Sequence, residues 1–155
     1  SAQVYRCKKV VAALSMVAMA SVIVPVGNAV AVGWGPLRSV YNGIERVRGS
    51  GYFYNSGNSS AVTQYNLTDS RNDGNTVYGY TTGSLFQSNY DGTTSWINQG
   101  SYSTPEIKNT TSTMYTSFPL SSSGSRARGA VMVCAQMGFP VPDSCSGNSY
   151  PTFDY

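Results

Sequence analysis

Beyond residue 44 the apolar positions recur with a period of two, and no window carries the 3.6-residue period of an amphipathic helix. Arg126, Arg128, Ala130, Met132 and Cys134 fall on one side of an extended backbone, with Val131 and Val133 on the other and Gly129 and Gly138 bounding the apolar run. That pattern predicts a strand near the middle of a sheet. Pro140, Pro142 and Asp143 cannot continue its ladder, and Cys145 then brings a second thiol within reach of Cys134.

The same alternation predicts the other strands. Residues 44–55 place Tyr52 and Tyr54 on one face and Phe53 on the other, with a bulge or bend expected at Gly49 and Gly51. After a turn, residues 61–69 set Thr63, Tyr65 and Leu67 on one face, in a strand antiparallel to the first. Residues 69–75 are the strongest turn signal, read as a hairpin loop into a strand at 76–88. The Asn89-Tyr90-Asp91-Gly92 turn leads to a strand at 93–99, and another strand follows at 110–120 with Met114, Phe118 and Leu120 facing in. Residues 121–125 form a loop, and the aromatic tail 150–155 is expected to dock. Short strands at intervals of roughly ten residues predict an all-β fold: a small antiparallel β-sandwich or barrel with one disulfide and an extended N-terminal arm.

The arm is the Gly-Trp-Gly-Pro segment, which has no clear period. Residues 32–43 read as extended and poorly ordered; the alternative is an edge strand whose Trp34 plugs the core. Before it, Arg6, Lys8 and Lys9, the apolar stretch 10–26 and Ala29-Val30-Ala31 have the layout of a secretory signal peptide, residues 1–31, cleaved ahead of Val32; the alternative is a membrane anchor. Removing that leader leaves seven basic residues against seven acidic ones, and the net charge falls from +3 to zero. A neutral chain has no electrostatic footprint for a phosphate backbone, so nucleic acid is not expected as a partner, nor is a membrane after cleavage. Cys7 leaves with the leader, and Cys134 and Cys145 remain as an even pair bound for the oxidising, extracellular side. About 124 residues then remain, enough for one β-domain at 44–155 with one core.

The chain contains no histidine, which removes serine–histidine and cysteine–histidine nucleophile systems and the usual zinc patterns. Carboxylate chemistry would need a pair among Glu45, Glu106, Asp69, Asp73 and Asp91, and their spacing places no two on one face. Neither an enzyme nor a metal or other cofactor is expected. The 69–75 loop offers oxygen ligands but carries Arg71 where a calcium loop wants an oxygen, so a plain turn is the better reading. Arg126 with Arg128, and Arg46 with Arg48, could clamp a carboxylate or simply pair with acids across strands. Tyrosine is abundant. Tyr52, Tyr54, Tyr78, Tyr80, Tyr90 and Tyr102 suit a protein interface or a carbohydrate-binding face, and equally suit ordinary half-buried strands.

Four segments carry a family resemblance: Trp34-Gly35-Pro36-Leu37, Asp69 through Asp73-Gly74 to Val77-Tyr78, Arg128-Gly129-Ala130-Val131 to Cys134, and Pro142-Asp143-Ser144-Cys145-Ser146. In these the chain resembles small secreted actinobacterial β-proteins, most of all the adaptor subunits of umbrella toxin particles. The resemblance implies a non-enzymatic adaptor in a secreted antibacterial complex, joining a large toxin subunit to lectin-bearing subunits with a degenerate trypsin-like fold. It also implies that the N-terminal segment lodges in a cleft of the lectin-bearing partner. In this chain that role falls on Val32, Gly33, Trp34, Gly35, Pro36 and Leu37, with Trp34 as anchor and outside the domain core.

Overall fold

A computed structural model of the chain describes Ile23–Val26 and residues 29–155, with side chains from residue 31 onward. The described residues contain no helix. Their strands are β1 (Ile23–Val26), β2 (Ala29–Tyr41), β3 (Ile44–Ser56), β4 (Ser60–Asp69), β5 (Val77–Ser88), β6 (Thr94–Ser103), β7 (Thr111–Pro119), β8 (Gly124–Ala135), β9 (Ser144–Cys145) and β10 (Thr152–Asp154). They form two antiparallel sheets, β1-β2-β3-β4-β7 and β10-β8-β5-β6, with β9 also on β8. This is the expected all-β architecture with its disulfide, resolved as a sandwich.

The alternation along each strand becomes the core. Val47, Phe53, Tyr65 and Leu67 from the first sheet meet Val77, Leu85, Val131 and Val133 from the second, all fully buried. Several inward glycines face bulky side chains across the sandwich. A Cβ at Gly83 would lie 2.6 Å from the Phe118 ring, one at Gly49 2.7 Å from a Val133 methyl, and one at Gly79 would collide with the Tyr65 ring. Missing side chains on one sheet thus make room for rings and branches on the other. At the centre the Tyr65 hydroxyl is shared with Thr81 and with Thr116 at 3.0 Å, and Thr81 Oγ1 donates to Thr63 Oγ1 at 3.3 Å. Buried polar groups are tolerated there because they satisfy one another.

β8 lies in the interior of its sheet, between β5 and the C-terminal segment, with Ala127, Val131 and Val133 inward. Cys134 pairs with Cys145 in the register and is disulfide-bonded to it, their Cα atoms 4.1 Å apart. The chain then follows the β8 edge to its end, through the Val131–Ser149 bridge to Phe153, which is buried. The tail docks, and the Tyr155 hydroxyl donates to the Ser121 carbonyl at 2.7 Å.

Three expectations are corrected. The 69–75 turn is not a hairpin, because β4 pairs with β3 and β7 while β5 pairs with β6 and β8. Each strand carries its own apolar face, and burying both faces against each other sends the chain across the sandwich. At the glycines the bulge belongs to β2: the register shifts between Trp34 and Leu37, opposite Gly49–Gly51, while β3 carries its own extra residue further along, at Arg46 between the Ser39–Val47 and Val40–Glu45 pairs. Pro36 has no N–H to give the ladder, which accounts for its place there.

The third correction concerns the arm. Val32, Gly33, Trp34, Gly35, Pro36 and Leu37 all belong to β2, and Trp34 is only 4% exposed. Its indole N–H donates to the Gln64 carbonyl at 3.1 Å, and its ring meets Tyr65 edge-on at 5.4 Å. Gly51 opposite makes the pocket, since a Cβ there would stand 3.2 Å from the indole. A large ring with a satisfied N–H is more stable between the sheets than in water, so the core-plugging alternative holds. Most of the expected leader, residues 1–31, lies outside the described residues; Ile23–Val26 and residues 29–31 pair as strand.

Candidate interaction surface

With the inner faces committed to the core, surface chemistry is left to the outer faces and the loops. On the first sheet Tyr52, Tyr54 and Tyr115 occupy neighbouring outward positions of β3 and β7, with Gln64 between them. The Tyr54 phenol is raised by burial and then by Tyr115. Arg46 and Arg48 do not form a clamp: Arg46 bonds Asp73 at 3.0 Å and Arg48 bonds Glu45 at 3.0 Å. They pair with acids, but not across strands: Arg48 with its own strand's Glu45 and Arg46 with the 69–75 loop.

The outer face of the second sheet is more differentiated. Strand alternation presents Tyr78, Tyr80, Thr82, Ser84 and Phe86 from β5, and Arg126, Arg128, Ala130 and Met132 from β8. On β6 the register sets Trp96 beside Phe86 and Asn98 beside Ser84. At this end the rings and guanidiniums stack. Arg128 Cζ lies 4.3 Å from the Trp96 centroid and 6.0 Å from that of Tyr150, Arg126 Cζ lies 5.3 Å from Trp96, and Phe86 meets Trp96 at 5.4 Å. Arg126 also pairs with Asp154 at 3.3 Å, whereas Arg128 makes no ion pair among the described residues. Stacking holds the Arg128 fork in one plane.

At the opposite end of the face, Tyr78, Tyr80, Thr104, Glu106, Gln136 and Asp143 line a cleft of about 210 Å³. The Tyr78 hydroxyl donates to Asp143 Oδ2 at 2.5 Å; burial, followed by that carboxylate, raises the phenol far above its ordinary range. Glu106 accepts from Gln136 Nε2 at 2.6 Å and from Thr76 Oγ1 at 3.1 Å. The seven acids of the chain sort cleanly. Glu45, Asp73 and Asp154 are ion-paired, Asp69 and Asp91 accept backbone N–H groups of turns, and among the described residues Glu106 and Asp143 meet neutral side-chain donors. Turn duty at Asp69 and the ion pair at Asp73 also occupy the carboxylates of the 69–75 loop, which is an ordinary connection.

Of the other tyrosines, Tyr102 stacks on Phe118 against the core and Tyr90 stands fully exposed at a turn tip. Three contributors were not signalled as site residues by the alternation: Trp96 reads as the centre of a strand, Tyr150 as tail and Asp143 as loop. Phe139 stands fully exposed on the disulfide-closed loop and belongs to neither the stack nor the cleft lining.

The protein is thus a disulfide-stapled antiparallel β-sandwich with one chemically differentiated sheet face. Comparison with family models, with curated proteins and with solved structures gives no match.

Proposed function

We propose that the protein is a secreted, non-enzymatic interaction module. Following the resemblance of its sequence motifs, it acts as an adaptor joining a large toxin subunit to a lectin-bearing, trypsin-like subunit of an extracellular antibacterial complex. The observation that carries the interaction reading is the Trp96–Arg128–Arg126–Tyr150 stack. Trp, Tyr and Arg dominate the energetics of protein interfaces, and side chains already held in place lose little entropy on docking. Because Trp34 is committed to the core, docking is assigned to this face rather than to residues 32–37.

Glu106 and Asp143 share a cleft, a pairing that the spacing of the acids did not contain. Both are exposed to water and held by neutral donors, which suits binding better than acid–base chemistry, where one carboxyl is normally desolvated. A second reading, carbohydrate binding, is favoured by that same cleft, since Tyr78 and Tyr80 lie beside the amide of Gln136 and two carboxylates.

The test is a pull-down from the culture fluid of the producing organism with tagged protein and its Trp96→Ala and Arg128→Ala variants, bound proteins being identified by mass spectrometry. Recovery of a large toxin subunit and a lectin-bearing subunit by the native bait, with either lost from the variants, supports the adaptor. Retention of all baits on cell-wall polysaccharide with no protein partner, abolished by Tyr80→Ala, overturns it in favour of the carbohydrate reading.

A further inference from the structure

The two ends of the second sheet's outer face carry opposite charge, and the middle is small. Among the described residues, Glu106 and Asp143 sit at the Tyr78 end with no ion pair, and Arg126 and Arg128 sit at the Phe86 end with Asp154 paired to Arg126. Around the Thr82–Ala130 pair the outward residues Thr82, Ser84, Ala130 and Ser101 are small, with Tyr80 and Met132 toward the acidic end and Asn98 toward the basic one. At a strand rise of about 3.3 Å per residue, Tyr78 and Phe86 stand roughly 27 Å apart along β5.

We propose that this face docks a second copy of the chain, the two sheets facing each other in opposite directions about a twofold axis near the Thr82–Ala130 pair. This rests on the reading that the face binds protein, and it names the partner. A surface with one acidic and one basic end is complementary to itself after a half-turn, which is what an isologous interface requires. The acidic cleft of each copy then lies over the Arg128 end of the other, so both charge pairs form at once. The three long strands β8, β5 and β6, spaced about 4.8 Å apart and roughly 27 Å long, cover about 400 Å² per copy, or about 800 Å² in total before the short β9 and β10 add to it, which is in the range of weak, transient interfaces. The dimer is therefore weak, exchanging and sensitive to salt.

Sedimentation velocity over a concentration series, at low and at high ionic strength, tests this on the intact protein. Concentration-dependent dimer at low salt that dissociates at high salt is expected. Arg128→Glu and Glu106→Lys each place two like-charge pairs in the interface and are expected to weaken the dimer at least about tenfold. An equimolar mixture of the two variants restores it, because in the mixed pair every contact is again between opposite charges. Far-ultraviolet circular dichroism of each variant confirms that it is folded.

A monomer at every concentration, or a dimer indifferent to salt and to both variants, overturns the proposal. A native protein that stays monomeric yet still captures a different protein through Trp96 overturns the second copy while leaving the interaction reading intact. A dimer that follows the charge-swap pattern but captures no other protein supports the second copy and overturns the adaptor.

Discussion

Tyr65 gathers three threonine hydroxyls from three strands around one phenol in the centre of the sandwich. Burial raises its pKa, against the pull of the Thr116, Thr81 and Thr63 hydroxyls, so the phenol stays protonated well into alkali. Tyr65→Phe keeps the ring against Trp34 but removes the shared partner, and chemical denaturation is expected to show a loss of about 1–2 kcal/mol. Asp73 acts at the other end of the pH scale. Burial pushes its carboxyl up, but the Asn75 N–H and the Arg46 guanidinium together hold it below its ordinary 3.8. A depressed carboxyl contributes stability that is complete above the unfolded value and is lost as pH falls through the folded one. Denaturation midpoints are therefore expected to drop below about pH 4, and Asp73→Asn to show a smaller acid-dependent drop than the native protein.

Among the elements, β5 shows how strand composition is set from across the sandwich. Its inward positions at Gly79 and Gly83 are empty because Tyr65 and Phe118 occupy that space. Gly83→Ala is expected to cost about 1–3 kcal/mol by overpacking, measured by the denaturant midpoint, although alanine has the higher strand-compatible stiffness. A destabilised Gly83→Ala whose loss is relieved by Phe118→Leu would locate the clash. β2 teaches the converse. Residues 32–37 have no period because the chain is bulged at Gly35-Pro36, and a bulge breaks the alternation from which a strand is read. Trp34 was ambiguous for a related reason: whether an indole enters a core depends on a gap, and that gap belongs to Gly51 on the neighbouring strand.

For the whole molecule, the non-local closure is the β8 strand with its staple. The Cys134–Cys145 bridge ties β8 to the segment that runs along its edge, and Ser39 Oγ reaches Ser144 Oγ at 2.7 Å from β2 in the other sheet. Replacing both cysteines by alanine is expected to lower stability by about 3 kcal/mol, the loop-closure entropy of a ring of this size, with the same far-ultraviolet spectrum. Much of this was legible beforehand. The faces of β8, the inward set Thr63, Tyr65 and Leu67, the docked tail and the cysteine pair all follow from alternation and spacing. The candidate site was far less legible. Tyr78, Tyr80, Arg126 and Arg128 could be singled out, but Trp96, Tyr150 and Asp143 could not, since they join the site only through the β6, β8 and C-terminal registers.

The existence and faces of β3 to β8, the turn positions and the disulfide were determined by the sequence by itself, because each depends on residues within a few positions of one another or on two cysteines alone; β2, bulged and without a period, was not. Tertiary structure alone decided which strands are neighbours, that β4 and β5 part into different sheets, that Trp34 is buried, and that two acids and two arginines end up at opposite ends of one face. The physical reason is the same in each case. Alternation says which side of a strand must be buried, but every strand offers two equivalent edges, and only the joint burial of all the faces selects the partner for each edge.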